Sequence, residues 1–199
     1  MERTIRNAAL ALFICVVVVS PILAQEDAEP TEGGESVWLT DFEQAKEQAK
    51  IRKMDILVNF SGSDWCGWCI KLDEEVLSKD AFLAEAKKLF VLCNLDFPRR
   101  KPNPDKEKNE KVSKAFNIRG FPSVILLDTA GKLFARTGYQ KGGPENYVSH
   151  LKGLLGQKEG RDSILKALDT AEGDGRKEAI AKAATDFREW KILGDYKDE

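Results

Sequence analysis

The sequence predicts an α/β sandwich, with helices on both faces of a central mixed sheet and a helical extension at the C-terminal end. Three observations carry that prediction. Two short, nearly continuous apolar runs, Ile56-Leu57-Val58-Asn59-Phe60 and Leu89 to Leu95, suit strands buried on both faces. Helical stretches alternate with the strand-like runs, which implies a parallel core. A third run, Ser123 to Leu127, is followed by the turn Asp128-Thr129-Ala130-Gly131 and a return run, Leu133 to Thr137. That pattern is a hairpin, which adds an antiparallel edge.

Each element has a local cause. Thr40 with Glu43 forms a capping box, and Phe42, Ala45 and Ala49 follow at helical spacing, so a helix is expected over residues 40–51. The run Ile56 to Phe60 is the first strand. Ser61-Gly62-Ser63-Asp64 is a turn, and Trp65-Cys66-Gly67-Trp68-Cys69 follows it at the entrance to a helix. Ile70, Leu72, Val76 and Leu77 form the apolar stripe of that helix, with Asp73, Glu74 and Glu75 facing away. The second run ends at Asp96. Residues 97–110 are polar and hold Pro98, Pro102 and Pro104, a loop leading into a helix over residues 105–117 that ends before Gly120. Pro144 opens a helix to Leu155.

Residues 157–199 differ. Gly153, Gly156 and Gly160 loosen the chain, and two helices are expected over residues 162–172 and 176–191, separated by Gly173-Asp174-Gly175. Ile180, Ala183, Ala184 and Phe187 make one modest apolar face. A helical appendage packed on the domain is the simple expectation, and a partner-binding helix pair the alternative.

The N-terminus has the form of an address. Arg3 and Arg6 precede an apolar run from Ala8 to Val19, then Ser20 and Pro21 break it, and Ile22-Leu23-Ala24 ends in a small residue. This is the pattern of a secretory signal peptide cleaved after Ala24. The run is shorter than the roughly 20 residues a spanning helix needs, so no stable membrane span is expected after cleavage. The expected organisation is a signal peptide over 1–24, a flexible leader over 25–36, a domain over 37–156 and the helical extension over 157–199. Export across the inner membrane, to the periplasm, follows. It removes Cys15 and leaves Cys66, Cys69 and Cys93 in a compartment where disulfides form.

Composition narrows the function. The chain has 199 residues, of which 42% are hydrophobic and 32% charged, which supports a folded core. Its formal net charge of -2 gives no global basic field for nucleic acid. One His and two Met exclude His-rich metal sites and Met-rich soft-metal tracts. There is no Walker loop, Ser-His-Asp set or glycine fingerprint.

Cys66 and Cys69 stand at i and i+3, at a turn entering a helix, so both sulfurs reach one side of the first turn. Unpaired backbone N–H groups at a helix start favour a thiolate on the first cysteine, below the free value of about 8.5. Cys69, further in, is expected to be more buried. That asymmetry suits exchange: Cys66 attacks a substrate disulfide and Cys69 resolves the mixed disulfide. Gly67 and Trp68 carry no charge and set the redox poise, while Trp65 and Trp68 flank the sulfurs as an apolar docking surface. A purely structural bond across so short a loop is a poor staple. Zinc needs about four ligands, and only Cys93 and His150 remain as strong candidates. No metal site is therefore expected.

Val58-Asn59-Phe60, then Trp65-Cys66-Gly67-Trp68-Cys69, then Gly120-Phe121-Pro122-Ser123 resembles the thioredoxin superfamily. The run Gly62 to Cys69 is similar to secreted bacterial thioredoxin-like proteins and to the C-terminal domain of the transmembrane thiol:disulfide interchange reductase. The resemblance covers residues 37–155. It implies a three-layer thioredoxin-like sandwich and thiol:disulfide oxidoreductase activity on protein thiols and disulfides. It also implies an upstream redox partner and a cis Pro122 beside the dithiol. The Phe121 backbone would pair with an extended substrate. No cofactor is expected, since the dithiol carries the electrons. A non-catalytic adaptor or a soft-metal (copper) binding module on the same fold is the alternative.

Two departures from that family leave the reaction direction open. Asn59 stands where a buried Asp commonly serves the inner cysteine, and Asn cannot take a proton, so another route must deprotonate Cys69, with water as one candidate and Asp64 a weaker one. Gly67-Trp68 replaces the usual Gly-Pro. Cys93 reads as a small buried hydrophobe and His150 as a surface or satisfied histidine. Arg99, Arg100 and Lys101, with Lys106, Lys108 and Lys111 interleaved by Asp105, Glu107 and Glu110, read as a solvated loop rather than a nucleic-acid patch.

Overall fold

The computed structural model describes residues 36–196, so the expected signal peptide and all but the last residue of the expected leader lie outside the described residues. The order is α1 (Phe42–Arg52), β1 (Asp55–Ser61), α2 (Gly67–Leu72), α3 (Asp80–Leu89), β2 (Phe90–Asp96), α4 (Lys106–Ala115), β3 (Ser123–Leu127), β4 (Leu133–Thr137), α5 (Gly143–Leu154), α6 (Gly156–Thr170) and α7 (Gly173–Glu189).

The sheet is mixed, in the order β2-β1-β3-β4. Its core is not parallel, however. β1 pairs parallel with β2 but antiparallel with β3, and β3 pairs antiparallel with β4. The reason lies in the connection after β2. Asn103 and Asn109 both donate side-chain N–H to the Asp96 carbonyl, at 3.0 and 3.1 Å. Those bonds hold the loop and the start of α4 beside the end of the sheet where β2 left it, and β3 enters from that same end, with Ser123 opposite Phe60. On the outer edge of β2, the Leu39 N–H donates to the Leu92 carbonyl and the Asn94 N–H to the Leu39 carbonyl, at 2.9 and 2.8 Å. This short bridge covers part of an otherwise open edge.

Strand alternation sorts the core into two layers. Ile56, Val58 and Phe60 face α1, α6 and α7, in a cluster with Ala45, Ala49, Ile164 and Phe187. Leu57 faces α2, α3 and α5, in a cluster with Leu72, Phe82, Tyr147 and Leu151. The result is the expected three-layer arrangement, with β1 buried at every position after Asp55.

Local details differ from the sequence reading where a better partner exists. Asp41, rather than Thr40, caps α1: its carboxylate accepts from the N–H groups of Glu43 and Gln44, at 2.8 and 3.1 Å. Those amides, with Lys108 reaching from α4 at 3.1 Å, hold the Asp41 carboxyl below its ordinary range. The single helix expected after Cys69 is two. α2 runs into one wide turn, Asp73–Leu77, where the Ser78 hydroxyl takes the Asp73 carbonyl at 2.7 Å, and α3 starts afresh at Asp80. Leu89 is the last residue of α3, not the first of the strand. Ile70 is 38% exposed, so it lies off the buried stripe.

The glycines at 156 and 160 lie inside α6 rather than in a linker. Gly160 has a packing cause: a Cβ there would lie 2.6 Å from Cη2 of Trp190. Ala183 and Phe187 are the buried face of α7, while Ile180 is 51% exposed. The helices pack into the same core as β1, and a polar clamp secures them. Arg161 is 1% exposed. It donates to Asp128 and Asp162, both at 2.6 Å, and to the carbonyls of Lys132 and Leu133 in the hairpin. Burial works against its charge, and the carboxylate bonds outweigh that, so its pKa is raised. Breaking a buried pair leaves an uncompensated charge, at a cost of about 3–5 kcal/mol. Arg161→Leu should therefore lower the unfolding free energy by about 3 kcal/mol in urea titrations, and Arg161→Leu with Asp128→Asn should recover part of the loss.

Candidate active site

The site forms where β1 ends. Ser61 stands opposite Asp96 of β2, and Phe60 opposite Ser123 of β3, so three chain segments meet there. The turn after β1 is laced to the loop after β2. The Ser63 N–H and hydroxyl donate to the Asp96 carboxylate at 2.9 and 2.6 Å, and the Phe97 N–H donates to the Ser61 carbonyl at 2.8 Å. Asp64 accepts from the backbone N–H groups of Arg99 and Arg100, at 3.0 and 2.8 Å. The Arg99 amide first, then Arg100 and the nearby cations, hold its carboxyl below the ordinary range. Asp64 is therefore a buckle between two loops and a poor proton acceptor, which removes it from the role weighed for it beside Cys69.

Trp65 is fixed from all sides. Its indole N–H donates to the Phe97 carbonyl at 2.8 Å. The Arg99 guanidinium lies 3.6 Å from the ring centroid, and Phe121 meets the ring edge-on at 5.7 Å. Gly62 permits this, since a Cβ there would lie 2.5 Å from the indole Cε2. The spacing of Gly62 and Trp65 was visible in the sequence, but the close approach that binds them needs three dimensions.

Cys66 is the N-cap of α2, in extended backbone, and its sulfur accepts the Cys69 N–H at 3.2 Å. The two sulfurs are bonded, with Cα atoms 5.2 Å apart. Cys66 is 7% exposed and Cys69 3%. The Gly62 N–H points at the Cys69 sulfur, 3.5 Å away. A helix start therefore serves Cys66, and the β1 turn serves Cys69. The Phe121–Pro122 peptide is cis, and Pro122 precedes the residue paired with Phe60 at the same strand end. Phe121 touches Phe97 as well as Trp65, with centroids 5.1 Å apart.

Trp65, Cys66, Cys69, Phe121 and Pro122 thus converge. Gly67 and Trp68 lie on the outer rim, Trp68 being 56% exposed. Tyr139, which sequence reasoning missed, packs against Trp68 at a tilt, with ring centroids 5.2 Å apart, and donates its hydroxyl to Glu75 at 2.5 Å. Lys71 lies 5.4 Å from both rings. The only sequence signal for Tyr139 was an aromatic just past the hairpin. Asn59 is 5% exposed; its Nδ2 donates to Asn94 Oδ1 at 2.8 Å, and its own Oδ1 has no partner among the described residues. An amide there accepts no proton, so that position carries no acid-base chemistry.

Cys93 and His150 lie elsewhere. Cys93 is fully buried among Val58 and Leu95 on the far face of the sheet, and burial pushes its thiol up to about 12. His150 meets the Thr137 hydroxyl at 2.8 Å, and burial lowers its pKa. Among the described residues no cluster of three or more His, Cys, Asp or Glu side chains is placed to hold a metal.

A family model described as thioredoxin-like matches residues 37–129. A disulfide bond reductase from Chlamydia pneumoniae, DsbH, is 34% identical over 57% of this chain and 70% of its own length. The chain belongs to the thioredoxin-like family. A solved structure titled DsbH oxidoreductase superposes with a TM-score of 0.55 at 30% identity, covering 64% of this chain and 93% of that one. A thioredoxin-related protein from the same organism, DsbJ, is 30% identical over 57% of this chain but only 33% of its own length. The region that the family model matches holds β1, the Cys66–Cys69 pair and Pro122, and ends before β4.

Burial makes the free thiol testable. After mild reduction, iodoacetamide should alkylate Cys66 in the folded protein near neutral pH and leave Cys93 unmodified. Cys93 should react only in denaturant or as pH rises toward its raised pKa, as read by peptide mass spectrometry.

Proposed function

We propose that this chain is a thiol:disulfide oxidoreductase that reduces protein disulfides, with Cys66 as nucleophile and Cys69 as resolving thiol. The observation that carries this is the bonded pair at the start of α2, with Cys66 at the N-cap and Cys69 one turn further in. The name of the relative DsbH, a disulfide bond reductase, supports the direction.

The electron balance is simple. In the dithiol form, Cys66 thiolate attacks one sulfur of the substrate disulfide, forming a mixed disulfide and releasing the other sulfur as thiolate. Cys69 then attacks the Cys66 sulfur, closes the internal bond and releases the second substrate sulfur. The Cys69 proton passes to that departing thiolate, so no carboxylate is required. Two electrons have moved to the substrate, and an upstream dithiol protein must return two to the Cys66–Cys69 bond.

The N–H groups at the start of α2 favour the Cys66 thiolate, and the Cys69 N–H already donates to its sulfur. Pro122 and Phe121 form one side of the groove, where the Phe121 backbone pairs with an extended substrate segment. Trp65, Gly67 and Trp68 form the other side. The signal-like N-terminus supports action in the periplasm after export and cleavage of residues 1–24. Among the described residues no helix is long and apolar enough to cross a membrane.

Cys66→Ser should abolish reduction of a disulfide-bonded model protein in the presence of a dithiol donor. Cys69→Ser should instead accumulate a mixed disulfide through Cys66, seen as a shifted band on non-reducing gels. Full activity in Cys66→Ser would overturn the assignment.

A further inference from the structure

The segment that leads into Pro122 is also one wall of a cavity of about 550 Å³. Arg119, Gly120 and Ser123 line that wall, and Arg136 of β4 with Lys191 and Asp195, beyond α7, line the other. Such a volume lies within the range of ordinary ligand pockets, about 300–1,000 Å³. The far wall lies beyond residues 37–129, so the family match does not account for the cavity.

Its charge is uneven. Arg136 is paired with Asp195 at 2.8 Å, which neutralises both. Arg119 and Lys191 are exposed, and neither side chain has a hydrogen-bond or ion-pair partner among the described residues. Two unspent cations therefore face a concave surface, on a chain whose formal net charge is -2. The location is specific as well. Gly120 lies two residues before Pro122, and the Ser123 hydroxyl donates to the Gly120 carbonyl at 2.7 Å, so cavity wall and proline loop are one piece. An extended polypeptide advances about 3.3 Å per residue. A segment lying along Phe121–Pro122 thus carries side chains two or three residues from its cysteine to the cavity mouth.

We propose that this cavity receives acidic side chains of the substrate polypeptide, two or three residues from the reacting cysteine, and that Arg119 and Lys191 recognise them. The C-terminal helices then take part in substrate choice, because they place Lys191. The proposal rests on the reductase reading above and adds the chemical class of substrate to it.

The test uses the full chain, a dithiol donor and a set of disulfide-linked peptides. The peptides are identical except for Glu, Ser or Lys at the two positions second and third from the cysteine. The Glu peptide should be reduced with a kcat/KM about five- to tenfold above the Ser peptide, as two exposed ion pairs allow, and the Lys peptide below it. Raising the ionic strength should shrink that preference. In the variant Arg119→Glu with Lys191→Glu, the Glu-to-Ser ratio should fall to one or below. The ratio is taken on one preparation, so partial loss of folded protein cancels. Equal rates for all three peptides in the natural protein, or a preference unchanged in the variant, would overturn the proposal. Failure to reduce any peptide would instead remove the reductase reading beneath it.

Discussion

The two-sided pairing of β1 is the constraint on which the rest depends. One edge runs parallel to β2 and the other antiparallel to β3, so Ser61, Asp96 and Ser123 share one end of the sheet. Backbone ladders set that coincidence, and a slip of one residue would turn each strand's core side chains to the opposite face. With the register fixed, the loop after β2 reaches the turn after β1, and the residue before β3 reaches both. The bonded cysteine pair, Trp65 and the Phe121–Pro122 segment share one end of the sheet because three strands do.

The side chains around the pair serve position more than charge. Asp64 and Asp96 lie on the two loops laced together at the site, and both spend their oxygens on backbone or hydroxyl donors of the opposite loop. Asn59 offers an amide where a carboxylate would titrate. The Cys66 sulfur instead faces the start of α2, where the Cys69 N–H donates to it. The polar groups near the sulfurs hold a geometry in which short-range dipoles act.

The C-terminal helices join the domain through opposite kinds of contact. Ile164, Leu168, Ala183 and Phe187 extend the apolar layer under β1. Arg161 does the reverse: it brings a full charge into the interior, matched by Asp128, Asp162 and two hairpin carbonyls. A buried pair of this kind adds little net stability over an apolar substitute, but it tolerates few alternative placements. Here it orients α6 on the β3–β4 hairpin, and the chain beyond α7 follows to meet Arg136.

Much was legible in one dimension. Period and continuity of apolar residues marked β1, β2 and the hairpin, because burial on both faces leaves a nearly unbroken apolar run. The i, i+3 spacing of Cys66 and Cys69 after a strand and turn marked the redox pair, because local helix geometry alone brings those sulfurs together. Other features had no local signal. The antiparallel sense of β3 is set by its ladder with β1, and Asn103 and Asn109 reach back to one carbonyl of β2. Asp41 outcompetes Thr40 as a cap with Lys108 of another helix beside it. Gly160 reads in the sequence as a residue that loosens the chain, whereas in the fold Trp190 lies against it, and Tyr139 and Arg161 gain partners from residues dozens of positions away. The sequence by itself determined most of the elements and the pairing of Cys66 with Cys69, which rest on contacts within a few residues. Only the tertiary structure decided strand sense, loop lacing and the second wall beside Pro122, because those come from pairings between segments far apart in the chain.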